Sequence, residues 1–225
     1  MTDFYIAATP IGNYEDITLR VIKILKEVDF IVCEQEREYK KLFGILGIKE
    51  KKYILCNEHY ENEAIELVHP LLEKGEKGVL ISDCGTPLFE DPGFKLIKSI
   101  RKKGYRIASL PGACSIITAL SLSPFEIKDF YYAGRLSQKN ENKKEEVSKL
   151  LKRKEVIILI DTPYRLMNII SLLKFSDNNR RIFISYNLTM EDEEFFWGKP
   201  EFVEKKLINR SLKKGEFVVI IESKK

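Results

Sequence analysis

Short apolar runs, each closed by a cluster of glycine, proline and small polar residues, alternate with amphipathic stretches along most of this chain. The runs at Phe4 to Ala8, Phe30 to Cys33, Tyr53 to Leu55, Val79 to Ile81 and Ile107 to Leu110 have the length of strands. Between them the apolar spacing becomes helical. From Ile17 to Val28 it places Val21, Ile22, Leu25 and Val28 on one face, with Asp16 as the expected N-cap. Similar faces recur from Ile65 to Leu72 and within a helix expected from Phe94 to Lys103. Strand, helix, strand in this order is the signature of an α/β fold.

The pattern breaks between Ser121 and Asp129, where Pro124 lies in a short connection, and an aromatic run begins at Phe130-Tyr131-Tyr132. We therefore expect an N-terminal α/β domain at residues 1–122 and a C-terminal α/β domain at residues 123–225. The second is expected to hold strands at Val156 to Ile160, Arg181 to Tyr186 and Phe217 to Ile221. Helices are expected around Lys144 to Leu151, Leu166 to Leu173 and Glu201 to Asn209. Phe195, Phe196 and Trp197 suit either an interface of a homodimer or packing under the last helix.

Composition narrows the class. With 225 residues, 44% of them apolar and 32% charged, the chain has the length and balance to bury a full core, which excludes disorder as its main state. No apolar run approaches the roughly 20 residues that span a bilayer. The amino terminus, Met1-Thr2-Asp3, lacks a basic-then-apolar leader, so a cytoplasmic protein without a membrane partner is expected. Cys33, Cys56, Cys84 and Cys114 form no C-x-x-C pair, and with only His59 and His69 beside them no metal site is expected. The net charge of +4 neither requires nor excludes a nucleic-acid partner.

Chemistry concentrates at the ends of the apolar runs. Ser82-Asp83-Cys84-Gly85-Thr86-Pro87 and Asp91-Pro92-Gly93 follow the run at Val79, and Pro111-Gly112-Ala113-Cys114-Ser115 follows the next. Glycine and proline there let backbone groups face a ligand without crowding side chains. The carboxyl ends of strands are where open α/β sheets bind ligands, so two consecutive loops of this kind predict one extended small-molecule site. The first run ends in Ala8-Thr9-Pro10-Ile11-Gly12-Asn13, which is neither a G-x-G-x-x-G fingerprint nor a P-loop.

Taken together, these three loops, with Asn57-Glu58-His59, Gly134 before a polar loop, Thr162-Pro163-Tyr164-Arg165, Leu188-Thr189 and Gly215-Glu216, resemble the tetrapyrrole methylase superfamily of S-adenosylmethionine-dependent methyltransferases. The chain is most similar to the branch of the bacterial small-subunit rRNA cytidine 2'-O-methyltransferases, in a short form without a helical C-terminal segment. The resemblance implies two α/β domains with S-adenosyl-L-methionine held in the cleft between them, largely by backbone contacts. Pro10, Asp83, Thr86, Ala113 and Ser115 are the donor-site residues it implies, with Thr162 and Leu188 reaching in from the second domain.

The acceptor side follows the family less closely. The branch's E-D-T-R appears as Glu34-Gln35-Glu36-Arg37, its G-F-L-P as Gly134-Arg135-Leu136-Ser137 with Lys139 after it, and its E-L-T-K as Asn187-Leu188-Thr189-Met190. Glu34, Arg37 and Lys139 are the implied catalytic residues. Glu34 or Lys139 would take the proton of an acceptor hydroxyl, and Arg37, Lys139 and Arg165 would meet phosphates. A structural ion pair between Glu34 and Arg37 is the alternative, as is a structural role for His59. The activity implied is methylation of RNA, most plainly a ribose 2'-hydroxyl of rRNA. Methylation of a tetrapyrrole or other small molecule stays open, as does donor binding without catalysis.

Overall fold

The computed structural model describes residues 2–137, 140–212 and 214–224. The chain divides into two compact units, Met1–Cys114 and Ser115–Lys225.

The first unit is a five-stranded parallel sheet. Its strands are β1 (Phe4–Ala7), β2 (Phe30–Cys33), β3 (Lys52–Leu55), β4 (Gly78–Ile81) and β5 (Ile107–Leu110), in the order β3-β2-β4-β1-β5. Four helices connect them: α1 (Leu19–Glu27), α2 (Glu36–Ile45), α3 (Glu61–Glu73) and α4 (Phe94–Lys102). Strand periodicity sorts the side chains onto two faces. Ile31, Val79 and Ile81 pack with Val21, Leu25, Tyr39 and Phe43, so α1 and α2 cover one face. Phe30, Val32 and Leu80 pack with Val68, Leu72, Leu96 and Ile100, so α3 and α4 cover the other. The N-cap of α1 is Thr18, whose hydroxyl accepts from Val21 N at 3.2 Å, and not Asp16, which closes a short 3-10 turn at Tyr14–Asp16.

The second unit has a mixed sheet in the order β6-β7-β10-β8-β9, built from β6 (Phe130–Gly134), β7 (Val156–Ile160), β8 (Ile182–Tyr186), β9 (Glu194–Gly198) and β10 (Phe217–Ile221). Strand β10 is antiparallel to both β7 and β8, and β6 is parallel to β7. The carboxyl ends of β6, β7 and β8 and the amino end of β10 therefore share one sheet edge. Helices α6 (Asn140–Leu150), α7 (Leu166–Ser176) and α8 (Pro200–Asn209) pack on one face through Val147, Ile169, Ile170, Leu173, Val203 and Leu207. Helix α5 (Ser115–Leu122) packs against β10. The aromatic run Phe195-Phe196-Trp197 is edge strand β9, with Phe196 buried and Trp197 half exposed.

Close packing at the shared edge explains one glycine. A Cβ on Gly215 would overlap the Tyr186 ring and the Asn187 amide oxygen. Gly215→Ala is therefore expected to lower stability by about 1–3 kcal/mol, the usual consequence of overpacking, read as a drop in the urea midpoint with an unchanged m-value.

Candidate functional site

The connections out of β1 and β2 run to α1 and α2 on one face, whereas the connection out of β4, which lies between them, runs to α4 on the other. Crevices open beside a strand whose loop departs opposite to its neighbours'. By this rule the switch points of the first sheet lie on both sides of β4, where Ser82-Asp83 face the loops that begin at Ala8 and at Glu34.

Hydrogen bonds fix this edge. The amide of Thr9 donates to Gly85 O at 2.8 Å and the amide of Gly85 returns a bond to Thr9 O at 3.2 Å, so the β4 loop folds back across the end of β1. The Ser82 hydroxyl donates to Gly85 O at 2.8 Å, and the Thr9 hydroxyl donates to Ser82 O at 3.1 Å. Gly85 has φ +81°, where a side chain is disfavoured. Further along, Leu88 and Glu90 hold φ values of 73° and 66°, strain of the kind that collects at ligand loops. The Thr86 hydroxyl donates to Ala113 O at 3.0 Å, tying the loops after β4 and β5. Glu61 closes the far end, accepting from Gly93 N at 3.1 Å and Lys95 N at 2.6 Å at the start of α4.

The charge on this edge is negative. Asp83 accepts from the amide of Gln35 at 3.2 Å, yet burial, and then the neighbouring Glu34, push its pKa up to about 6. Burial also raises Glu34, with Asp91 and Glu58 adding repulsion. Glu36 is held low by Lys40, whose ammonium lies 2.6 Å away, and by the Tyr53 hydroxyl. Burial pushes the Cys33 and Cys56 thiols up to about 12, which leaves them protonated and unreactive.

In the second unit the shared edge of the sheet carries Arg135, Thr162, Leu188 and Glu216. Asp161 has a fully buried side chain whose Oδ1 accepts from Thr162 N at 2.8 Å and from Arg165 Nη1 at 3.0 Å. Its Oδ2 has no hydrogen-bond partner among the described residues. Arg165 Nη2 donates to Leu136 O and Ser137 O, both at 2.9 Å. The guanidinium expected to meet phosphates thus staples the Thr162 turn to the loop after β6. Asn187 does the same at the other side. Its amide oxygen accepts from Glu216 N at 2.9 Å and its amide nitrogen donates to Asp192 at 2.7 Å. Asn187 and Thr189 have φ 47° and 64°, so the backbone of buried Leu188 sits between two strained residues.

The structure gathers Pro10, Asp83, Thr86 and Ala113 at one end of the first sheet, with Pro10 buried and Thr86 exposed. Ser115 is the first residue of α5 in the second unit, where Thr162 and Leu188 lie on the shared edge. Glu34 follows β2 next to Asp83. Arg37 does not pair with it: the Arg37 side chain is 87% exposed and its Nε lies 3.8 Å from Glu38. His59 is likewise exposed, 3.4 Å from Glu58. Lys139 lies outside the described residues. Sequence reasoning named Thr9, Ser82 and Asn187 only as members of motifs and did not single out Asp161; all four are short polar residues that hold loops, and their position directly after an apolar run was the available signal.

The first unit with its parallel sheet and the second with its mixed sheet are, by the comparisons that follow, those of a methyltransferase of the tetrapyrrole methylase class. The model of the Tetrapyrrole (Corrin/Porphyrin) Methylases matches residues 3–202, and the chain belongs to that family. Among curated relatives it is 39% identical over 218 residues to a Rickettsia prowazekii protein named ribosomal RNA small subunit methyltransferase I, covering 96% of this chain and 77% of the relative. Relatives of the same name match at 34% identity in Borrelia garinii, over 96% of this chain and 97% of the relative, and at 32% in Thermotoga maritima, over 100% of both. Solved structures of similar fold include a diphthine synthase, with TM-score 0.74, 14% identity and coverage of 98% of this chain and 89% of that one. A cobalt precorrin-4 methyltransferase aligns with TM-score 0.70 and 14% identity, covering 97% and 93%.

The raised Asp83 has a consequence for stability. Its folded pKa of about 6 exceeds the ordinary 3.8, so between these values the folded chain binds more protons than the unfolded one and stability falls as pH rises through that window. Asp83→Asn is therefore expected to melt higher than wild type above pH 6, by about 1 kcal/mol after discounting for solvent screening at a half-buried site. The gap should close below pH 4, as checked by thermal melts across pH.

Proposed function

We propose that the chain transfers a methyl group from S-adenosyl-L-methionine to RNA, at a ribose 2'-hydroxyl of small-subunit rRNA. The observation that carries the substrate is the near-complete match to chains named ribosomal RNA small subunit methyltransferase I, at 32–39% identity. Relatives matched over 97% and 100% of their own length bear that name, so it attaches to chains of this span. The solved tetrapyrrole enzymes of this fold, at 14–15% identity, support the fold and not a tetrapyrrole substrate.

The chemistry of the first unit's edge fits the donor. Glu34 repels Asp83 and is itself repelled by Asp91 and Glu58, and a cation relieves that repulsion. S-Adenosylmethionine supplies an electrophilic methyl on a sulfonium, with an ammonium as a second positive centre. Asp83 and the backbone around Pro10, Thr86 and Ala113 would hold it, with Ser115, Thr162 and Leu188 as the contacts proposed from the second unit. Glu34, raised by burial and by its acidic neighbours, would accept the acceptor hydroxyl's proton. Arg37, exposed and 3.8 Å from Glu38 rather than paired with Glu34, would turn to meet a phosphate. Alignment of donor and acceptor supplies the main acceleration.

Three measurements test this reading. Purified protein with labelled donor and small-subunit rRNA is expected to yield a 2'-O-methylated nucleoside on mass-spectrometric mapping; label that enters only small molecules would refute it. Glu34→Gln is expected to lower kcat by about 100-fold, the lower end of general-base contributions, with the donor Kd little changed. The donor Kd itself should weaken as pH drops through about 6, where Asp83 takes up its proton, while the uncharged thioether product shows a smaller change.

A further inference from the structure

We propose that Tyr164 and Lys214 form a stacking platform that receives an unpaired nucleobase of the acceptor RNA, a role that rests on the RNA methyltransferase reading above. Tyr164 is 71% exposed, although the turn that carries it is pinned from several sides. The amide of Arg165 donates to Thr162 O at 2.9 Å, the amide of Thr162 donates to buried Asp161, and the Arg165 guanidinium holds Asp161, Leu136 and Ser137. An aromatic ring on an anchored turn loses little freedom when a partner stacks on it.

The Lys214 ammonium lies 4.9 Å from the centroid of the Tyr164 ring. Its own backbone is fixed as well, because the Tyr186 hydroxyl donates to Lys214 O and Gly215 packs against Tyr186 and Asn187. Arg135 adds positive charge at this edge, on the segment that Arg165 anchors, and its field lowers the pKa of Glu216 against the rise caused by burial. A π-face with a cation beside it is the chemistry that recognises a splayed base and its phosphate. Thr162 and Leu188, the donor contacts proposed above, share this edge of the sheet, so on that reading a base held here would belong to the strand being modified. A paired duplex hides its base faces and has no use for the ring.

The test uses full-length protein, an unstructured oligoribonucleotide and a fully paired duplex of the same length, with binding read by fluorescence anisotropy. Tyr164→Ala is expected to weaken single-strand binding by about tenfold or more, in the range of one lost stacking contact, while Tyr164→Trp restores it and duplex binding stays unchanged. Lys214→Met is expected to weaken binding and reduce the salt slope by about one. Donor affinity and melting temperature should match wild type in all three variants. Single-strand binding by Tyr164→Ala equal to wild type overturns the platform, as does equal weakening toward the duplex or a parallel loss of donor binding. If wild type methylates rRNA and Tyr164→Ala does so with the same KM, the platform fails alone. If wild type neither binds nor methylates RNA, the functional reading fails with it.

Discussion

The reciprocal pair of backbone hydrogen bonds between Thr9 and Gly85 is the interaction on which the first unit's site depends. A loop leaving β4 for α4 has no reason of its own to cross the end of β1. The Thr9 pair forces it to, and Ser82 consolidates the crossing by donating to the same Gly85 carbonyl. Asp83 is thereby turned toward the β2 loop, where it meets the Gln35 amide, and Thr86 toward the β5 loop, where it meets Ala113. Two side-chain hydroxyls and one left-handed glycine thus convert a strand end into a wall that touches three neighbouring loops.

That wall is built against the preference of its own charges. One amide hydrogen bond does not offset the partial burial of Asp83 and the nearness of Glu34. A carboxylate held near neutrality by burial and a like charge is a common mark of a binding or catalytic site. The second unit shows the opposite design at its shared edge. Arg165 lies against Asp161, and the neutral amide of Asn187 accepts from the Glu216 backbone N–H and donates to the Asp192 carboxylate. Its polar groups chiefly position backbone, whereas in the first unit the carboxylates of Asp83 and Glu34 also lie near one another as like charges.

Strand positions were legible because each strand is a compact apolar run bounded by turn residues; β2, β5, β7 and β10 begin and end where the pattern places them. Helices α2 and α5 were not. Helix α2 reads Glu-Arg-Glu-Tyr-Lys-Lys before its first apolar pair, and its face appears only once Tyr39, Leu42 and Phe43 are seen to be buried. Helix α5 is apolar nearly all round, so it has little amphipathic period to detect. Strand β9 was obscured by its exposed Trp197, on an edge strand where Phe196 alone is buried. Asp16 looked like an N-cap because acidic residues favour that place, but Thr18 lies next to the helix and has the shorter reach.

The site motifs were legible as a set and misleading one at a time. Gly134, Thr162, Leu188 and Gly215 are scattered over more than a third of the sequence, and the mixed topology of the second sheet brings them to one edge. Their neighbours divide by exposure. Arg165 has the charge a phosphate needs, yet its donors close onto Asp161 and two carbonyls. Tyr164, one residue earlier, has no charge and the larger exposed surface. A turn of this shape can aim only one of two consecutive side chains inward. Pairing Arg165 with the buried carboxylate of Asp161 selects it for the interior and leaves the aromatic ring outside.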